Sequence, residues 1–130
     1  MRRERSLRIF LDTSVLSHSS LGQISSMLAD RVLSGDEILV SVLTHYEILW
    51  GYRKIGLPTA RYEAFLSGLD IEVAPLVQED AVVAANKKPS REKLVDALIA
   101  ATVSRYDASI WTRDSDFLHF LPKEKVILQG

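Results

Sequence analysis

The sequence predicts a three-layer α/β fold, in which a small parallel sheet of about five strands carries helices on both faces. Short apolar runs of strand length alternate with longer segments of helical periodicity along the whole chain. This alternation is the pattern of parallel strands joined by crossover helices. No repeat, low-complexity tract or linker divides the 130 residues. We therefore expect one domain that spans residues 1–130.

The first strand and the two helices after it have clear end signals. Residues 7–11 (LRIFL) form a short apolar run. The DTS sequence that begins at Asp12 offers N-cap side chains for a short helix that continues through Leu16. A second helix is predicted over residues 22–33, because a Ser-Gly pair that ends at Gly35 is a typical C-terminal stop.

The middle of the chain repeats this order. Residues 37–41 (EILVS) predict a strand that leads directly into a helix over residues 42–55, and Gly56 closes that helix. Residues 59–69 have aromatic and aliphatic side chains at helical spacing. The run IEVA at residues 71–74 is the next strand, which a proline stops.

The last third of the chain completes the sheet. Residues 76–86 and 91–105 predict two helices, separated by Lys-Lys-Pro and restarted by Ser90 as an N-cap. Residues 108–112 (ASIWT) form a strand. A short turn of helix and a final strand follow at residues 115–118 and 125–128.

Composition and charge exclude several classes of protein. The chain has no cysteine, which excludes disulfides, thiolate metal sites and thiol catalysis. Four of its 16 basic residues and one of its 17 acidic residues lie in the first eight positions, which leaves 12 basic against 16 acidic groups elsewhere. A domain that binds RNA by charge alone is strongly basic. RNA binding here would need cations at an acidic site, the arginine-rich start, or a second subunit.

The arginine-rich start does not have the pattern of a secretory signal. The apolar stretch after it is interrupted by Arg8, is too short for an h-region, and is followed by no small-residue cleavage site. No run approaches the 18 or more apolar residues of a membrane span. We therefore expect a soluble, cytoplasmic protein with no membrane partner.

Four carboxylates lie where burial is expected, and they are the strongest functional signal in the chain. Each follows an apolar strand or interrupts an apolar helix. They are Asp12, Glu47, Asp96 and Asp114. Burying an unpaired carboxylate costs several kcal/mol. Because ligands bind at the carboxyl ends of parallel strands, we expect these acids at one edge of the sheet.

Two of the acids interrupt apolar helix faces. Asp96 has Ile99, Ala100 and Val103 as its neighbours at helical spacing, so we expect it to point toward the core or a crevice beside it. Glu47 lies between bulky apolar residues in YEILW. A solvent-facing stripe remains the alternative for Glu47, and a plain helix N-cap remains the alternative for Asp12.

The segment TRDSDF places two acids just after the fourth predicted strand. One of them is expected to cap the following turn. Asp114 is nearer the strand end and is our choice as a metal ligand, with Asp116 as an auxiliary ligand. Local chemistry leaves the division of roles between them open.

Clustered carboxylates without a histidine or cysteine companion favour a hard divalent cation. Such acids repel one another unless a cation lies between them. Oxygen ligands favour Mg²⁺ or Mn²⁺ over zinc. An ion of this kind activates water and stabilises an in-line displacement at phosphorus. The acids therefore predict a metal-dependent phosphodiesterase, and a ribonuclease before other kinds.

Four motifs resemble the PIN domain family, and within it the VapC-type toxins of toxin–antitoxin pairs. They are FLDTSVL, SVLTHYEILWGY, LVDALIAATV and IWTRDSDF. Their order and separation also match, so the resemblance covers nearly the whole chain. It implies a PIN-like, Rossmann-like sheet and an endoribonuclease that depends on Mg²⁺ or Mn²⁺.

The resemblance also implies the site and its partners. The acidic quartet carries over to Asp12, Glu47, Asp96 and Asp114. Hydroxyl groups that line the family's site match three positions, Thr13, Ser14 and Thr112. The implied partners are an RNA substrate, a second copy in a homodimer, and a small antitoxin whose tail occupies the groove.

The same residues leave room for other functions. A PIN-like module that binds RNA or a protein without cleaving is the main alternative. A Mg²⁺-dependent phosphatase or phosphoacceptor needs a lysine at a strand end, and we expect no lysine after the third strand, Lys93 included, to be well placed. A histidine-pair mechanism is disfavoured because His18, His45 and His119 are scattered.

Overall fold

The computed structural model describes residues 7–17 and 20–129. His18 and the arginines before Arg8 lie outside the described residues, so the expectations about them are not addressed. Within the described part of the chain, five strands form one sheet. They are β1 (Arg8–Leu11), β2 (Glu37–Ser41), β3 (Glu72–Ala74), β4 (Ser109–Thr112) and β5 (Val126–Leu128).

All neighbouring strands are parallel, in the order β3-β2-β1-β4-β5. Strand β1 lies in the middle of the sheet. The chain then extends to one edge through β2 and β3, and returns to the other side through β4 and β5. The order therefore reverses between β1 and β4. Ligand crevices of parallel α/β sheets lie outside the carboxyl ends of the strands at such a reversal.

The same described residues contain five α-helices. They are α1 (Leu21–Leu33), α2 (Val42–Lys54), α3 (Ala60–Gly68), α4 (Gln78–Asn86) and α5 (Leu94–Arg105). Alternate residues of the strands enter two separate cores. On one face Ile9 and Trp111 pack with side chains of α1, α2 and α3. On the other face Phe10 and Ile110 pack with Ile99 of α5. The predicted three-layer arrangement is confirmed.

Two predicted turn glycines have the backbone that glycine favours. Gly35 has φ 92°, directly after the end of α1, and Gly56 has φ 74°, after the end of α2. Residues that carry a side chain rarely adopt this left-handed backbone conformation. Both helices therefore stop where the sequence indicated.

One predicted helix is divided in two. Residues 91–105 form a short 3₁₀ turn, Arg91–Lys93, followed by α5. Ser90 makes no side-chain capping hydrogen bond, contrary to the prediction. Lys93 occupies the junction with φ −107° and ψ 9°, which is not helical. This break determines where the side chain of Lys93 points.

The helices of the described residues are short or polar by the standard of membrane spans. None of those in residues 7–17 and 20–129 combines the length and apolarity that crossing a bilayer requires.

Candidate metal centre

The acidic side chains come from the elements that meet at the reversal of strand order. Asp12 directly follows β1, and its backbone N–H donates to the carbonyl oxygen of Trp111 in β4 at 3.0 Å. Asp114 lies two residues after the end of β4. Because β1 and β4 are hydrogen-bonded neighbours, their carboxyl ends place these two acids side by side. Asp96 reaches the same edge from the first turn of α5.

Three carboxylates form a tight group. Asp96, Asp114 and Asp116 each offer one oxygen, and these oxygens lie within 4.8 Å of one another. All three side chains are half-buried. Among the described residues, this is the group of acids or histidines whose spacing suits a metal ion.

Asp12 adjoins this group in a network of hydroxyl groups. Its side chain is buried, and its Oδ2 accepts hydrogen bonds from the Ser14 hydroxyl at 2.7 Å and the Thr112 hydroxyl at 2.8 Å. The Thr112 Oγ1 also accepts the backbone N–H of Asp114 at 2.9 Å. The predicted auxiliary residues Ser14 and Thr112 therefore hold Asp12 and Asp114 in one arrangement.

Glu47 lies apart from the tight group. Its side chain is exposed, and its Oε1 accepts a hydrogen bond from the Thr13 hydroxyl at 2.8 Å. Thr13 follows Asp12, so this bond connects Glu47 to the edge of the acidic centre. The structure thus brings Asp96, Asp114 and Asp116 together beside Asp12. It leaves Glu47 at the rim, on a solvent-facing position of α2.

Asp114 is the acid that caps the turn after β4. Its Oδ1 accepts the backbone N–H of Asp116 at 2.9 Å at the start of the 3₁₀ turn Ser115–His119. A carboxylate has two oxygens and several lone pairs, so a capping Asp114 still has a second oxygen for a metal ion.

Lys93 is a side chain at the acidic centre that the sequence interpretation did not place there. Its Nζ bonds the Oδ2 of Asp116. This contact raises the pKa of Lys93 and lowers the pKa of Asp116. Lys93 reaches the acidic centre from the start of a helix, so it is not the strand-end lysine that a phosphoacceptor site needs. Its position three residues before Asp96 was the available signal.

The electrostatics of Asp96 show a surplus of negative charge. The pKa of the Asp96 carboxyl is raised to about 6, mainly by burial and then by the neighbouring carboxylates of Asp114 and Asp12, while Lys93 acts in the opposite direction. A divalent cation among these oxygens would offset that repulsion. The donor set is entirely carboxylate, which suits Mg²⁺ or Mn²⁺. The residues present therefore fit the predicted ion.

The described histidines do not form a catalytic pair. The ring of His45 hydrogen-bonds the Tyr62 hydroxyl at 2.8 Å, inside the core between α2 and α3. His119 is largely exposed, with its Nε2 4.0 Å from the Oδ1 of Asp116. The two rings therefore have different partners.

Comparisons with known proteins agree with this fold. A family model described as the PIN domain matches residues 9–120. No curated protein sequence matches the chain. Three solved structures have the same fold, although all are less than 25% identical in sequence and so indicate the fold alone.

The first is a toxin–antitoxin complex from Klebsiella pneumoniae, 21% identical with a TM-score of 0.62, covering 92% of this chain and 95% of that one. The second is VapBC2 from Rickettsia felis bound to a DNA fragment from their promoter, 18% identical with a TM-score of 0.64, covering 95% and 98%. The third is VapBC-5 from Mycobacterium tuberculosis, 22% identical with a TM-score of 0.59, covering 95% and 98%.

Proposed function

The chain belongs to the PIN domain family, and from that premise we propose that it is a divalent-metal-dependent endoribonuclease that hydrolyses RNA phosphodiester bonds. One observation carries the proposal. The carboxylates of Asp96, Asp114 and Asp116 converge beside the buried Asp12, at the edge of the sheet where the strand order reverses.

Asp12, Asp96 and Asp114 are the residues that would hold Mg²⁺ or Mn²⁺, with Asp116 beside them. When bound, the ion supplies a Lewis acid that acidifies water and offsets charge on the phosphate during an in-line displacement. The chain's own contribution is positional. Ser14 and Thr112 fix the buried Asp12 through two hydroxyl hydrogen bonds, so its carboxylate does not need to reorganise on binding.

Glu47 would orient the attacking water, accept a proton from it, or ligate the ion from the rim of the centre. Its exposed carboxylate is held by Thr13, which leaves one oxygen directed away from that bond. Because this carboxylate is exposed, a proton that it accepts can pass directly to solvent. Thr13 is then a positioning residue for Glu47.

The biological role proposed is that of the toxin in a toxin–antitoxin pair, acting on RNA in the cytoplasm as a homodimer. One neighbour of the same fold was solved as a toxin–antitoxin complex, and another is a member of the VapBC family of toxin–antitoxin systems. A groove of about 260 Å³ lies beside Glu47 between the turn after β1 and α2, and Leu16, Ile48, Gly51 and Ile55 line it. An apolar segment of a small antitoxin fits this groove and would block access to Glu47.

The test is cleavage of a mixed RNA panel by the purified, antitoxin-free protein in Mg²⁺, Mn²⁺ or EDTA, beside the Asp96→Asn variant. Single-stranded DNA of the same sequences is the substrate control. We expect RNA cleavage that requires the metal and is lost in the variant while the fold is retained.

The alternative is a PIN-like module that binds RNA or a protein without cleaving it. A folded protein that binds Mn²⁺ and retains RNA, yet cuts no member of a panel that includes structured and single-stranded RNAs, would favour that module. Cleavage that survives both EDTA and Asp96→Asn would remove the acidic centre from the mechanism.

A further inference from the structure

We propose that Lys93 is a resident cation of the acidic centre, which engages Asp116 and thereby limits the centre to one divalent ion. The inference rests on the proposed function, because it concerns the same centre. It addresses how many ions the centre binds, which the arrangement of acids alone leaves open.

The position of Lys93 is fixed by the backbone break that precedes α5. The 3₁₀ turn Arg91–Lys93 ends there, and α5 begins at the next residue. Asp96 lies in the first turn of α5, three residues later. Lys93 is the N-cap residue of α5 and directly precedes the turn that contains Asp96. Its ammonium group bonds Asp116 at the same edge of the centre that Asp96 enters.

The contact of Lys93 is with one particular acid. Its Nζ bonds the Oδ2 of Asp116, and the two side chains are only about one-third exposed, at 33% and 31%. The other oxygen of Asp116 lies 4.0 Å from the Nε2 of His119. Both carboxylate oxygens of Asp116 therefore face a nitrogen-bearing side chain, unlike the oxygens of Asp96.

The charge of Lys93 reaches beyond Asp116. Its ammonium group acts on Asp96 in the sense opposite to the neighbouring carboxylates, and Asp96 and Asp114 in turn act on Lys93. A positive charge within the group attracts carboxylates and repels any further cation. Lys93 thus performs part of the neutralisation that a second divalent ion would otherwise perform.

The consequence is a division of roles among the acids. Asp12, Asp96 and Asp114 remain available to a first ion. A second ion near Asp116 must displace the ammonium of Lys93 and accept its repulsion. We expect that removing the charge of Lys93 opens this second position and tightens binding there by about tenfold or more.

The test measures Mn²⁺ binding by calorimetry and by electron paramagnetic resonance, without RNA. Lys93→Met removes the charge at similar length, Lys93→Arg retains it, and Lys125→Met is the matched control. Lys125 also forms an ion pair, with Asp107 at 3.1 Å, but outside the acidic centre. Thermal unfolding checks each fold, and Lys93→Gln replaces the Met variant if that one does not fold.

We expect one bound Mn²⁺ with an isolated-ion spectrum in the wild type, Lys93→Arg and Lys125→Met. Lys93→Met should bind two ions with a spin-coupled spectrum. Adding Asp116→Asn to Lys93→Met should return the stoichiometry to one, because the second ion then lacks its ligand. A merely structural role for Lys93 would not produce this pattern.

Three results would overturn the inference. Two ions in the wild type show that Lys93 does not exclude the second. One ion in both the wild type and Lys93→Met shows that its charge does not set the number, and leaves the proposed nuclease standing. Absence of Mn²⁺ binding by every folded variant overturns the metal centre itself, and the inference with it.

Discussion

At the scale of single residues, Asp96 is the acid whose charged form destabilises the metal-free fold. Its carboxyl is partly buried beside other carboxylates, and its pKa is raised to about 6. In the metal-free protein the charged form is therefore held at a cost. Groups that are poorly accommodated in the fold are typical of functional sites.

The first prediction follows from the sign of this shift. Because the folded-state pKa of Asp96 lies above its unfolded value, the folded state binds more protons between about pH 4 and 6, and stability falls as pH rises through that range. Above pH 6 the penalty is fully present. Asp96→Asn should therefore raise the free energy of unfolding of the metal-free protein at pH 7 by about 1 kcal/mol, after discounting for solvent screening.

Denaturant unfolding in EDTA and in Mn²⁺ measures this effect. We expect the order to reverse with metal, because Mn²⁺ stabilises the wild type by mass action and has lost a ligand in the variant. An Asp96→Asn protein that is less stable than the wild type in EDTA would contradict the electrostatic account.

Thr112 is the second residue whose side-chain hydrogen bonds lead to a prediction. Its buried hydroxyl donates to Asp12 and accepts from the Asp114 backbone. Thr112→Val keeps the volume but leaves that N–H without its partner, so we expect a loss of about 1–3 kcal/mol of stability. Mn²⁺ affinity, measured by calorimetry, should also fall.

Thr13→Val is the matched control for Thr112→Val. Thr13 bonds the exposed Glu47 and is itself only half-buried. We expect a change in stability of less than about 0.5 kcal/mol, as for surface substitutions in general. Equal destabilisation by the two changes would mean that the hydroxyl network does not hold Asp12 and Asp114.

At the scale of elements, an ion pair between the buried Asp80 and the partly buried Arg105 joins α4 to α5. Asp80 of α4 is buried and accepts hydrogen bonds from the Arg105 Nε at 2.9 Å and the Thr102 hydroxyl at 2.8 Å, both in α5. The Val77 backbone N–H also donates to it at 3.2 Å. Burial alone would raise the pKa of Asp80, but these hydrogen bonds lower it below its ordinary value.

Asp80→Asn should therefore destabilise the protein by about 3 kcal/mol at pH 7, since it leaves a partly buried guanidinium without its charge partner. With a lowered folded-state pKa, the contribution of Asp80 is present above its unfolded pKa and is lost as pH falls through the folded value. The variant should lose this acid sensitivity. Glu79→Gln, at an exposed neighbouring position of α4, is the control.

Thermal unfolding between pH 3 and 7 checks both statements. RNA cleavage below the unfolding temperature should be retained, because Asp80 lies outside the acidic centre. A variant with wild-type stability at pH 7 would show that the ion pair does not anchor α4.

The elements differ in how far the sequence predicted them. The strand Glu37–Ser41 has the bounds that were predicted, because an apolar run between clear stops has one interpretation. The break before α5 was missed, since residues 91–105 keep helical periodicity on both sides of it. Periodicity reports which side chains share a face and not whether the backbone turns between them.

The centre was predicted less completely than the fold, for physical reasons. Strand ends predicted that Asp12 and Asp114 lie at the same edge of the sheet, and the structure places them there. The exposure of Glu47 depends on how α2 packs, which no local pattern records. The contact of Lys93 with Asp116 joins residues that are 23 positions apart in the chain, so no local pattern records it either.

At the scale of the whole molecule, the fold explains why a near-neutral protein can be proposed to act on RNA. The net charge is −1, so long-range attraction of a polyanion is weak. Acids are gathered at one crevice of the sheet, where a divalent ion would reverse the local charge. Association with RNA and hydrolysis would then depend on the same ion.

The most direct measurement of the central claim is the chemistry of the RNA ends after cleavage, determined by mass spectrometry on products formed in Mn²⁺, with an EDTA reaction beside them. Attack by water at the acidic centre predicts linear phosphate ends that appear only with the metal. Products that carry a 2′,3′-cyclic phosphate, formed with or without Mn²⁺, would contradict the account, because the nucleophile would then be the RNA's own 2′-hydroxyl.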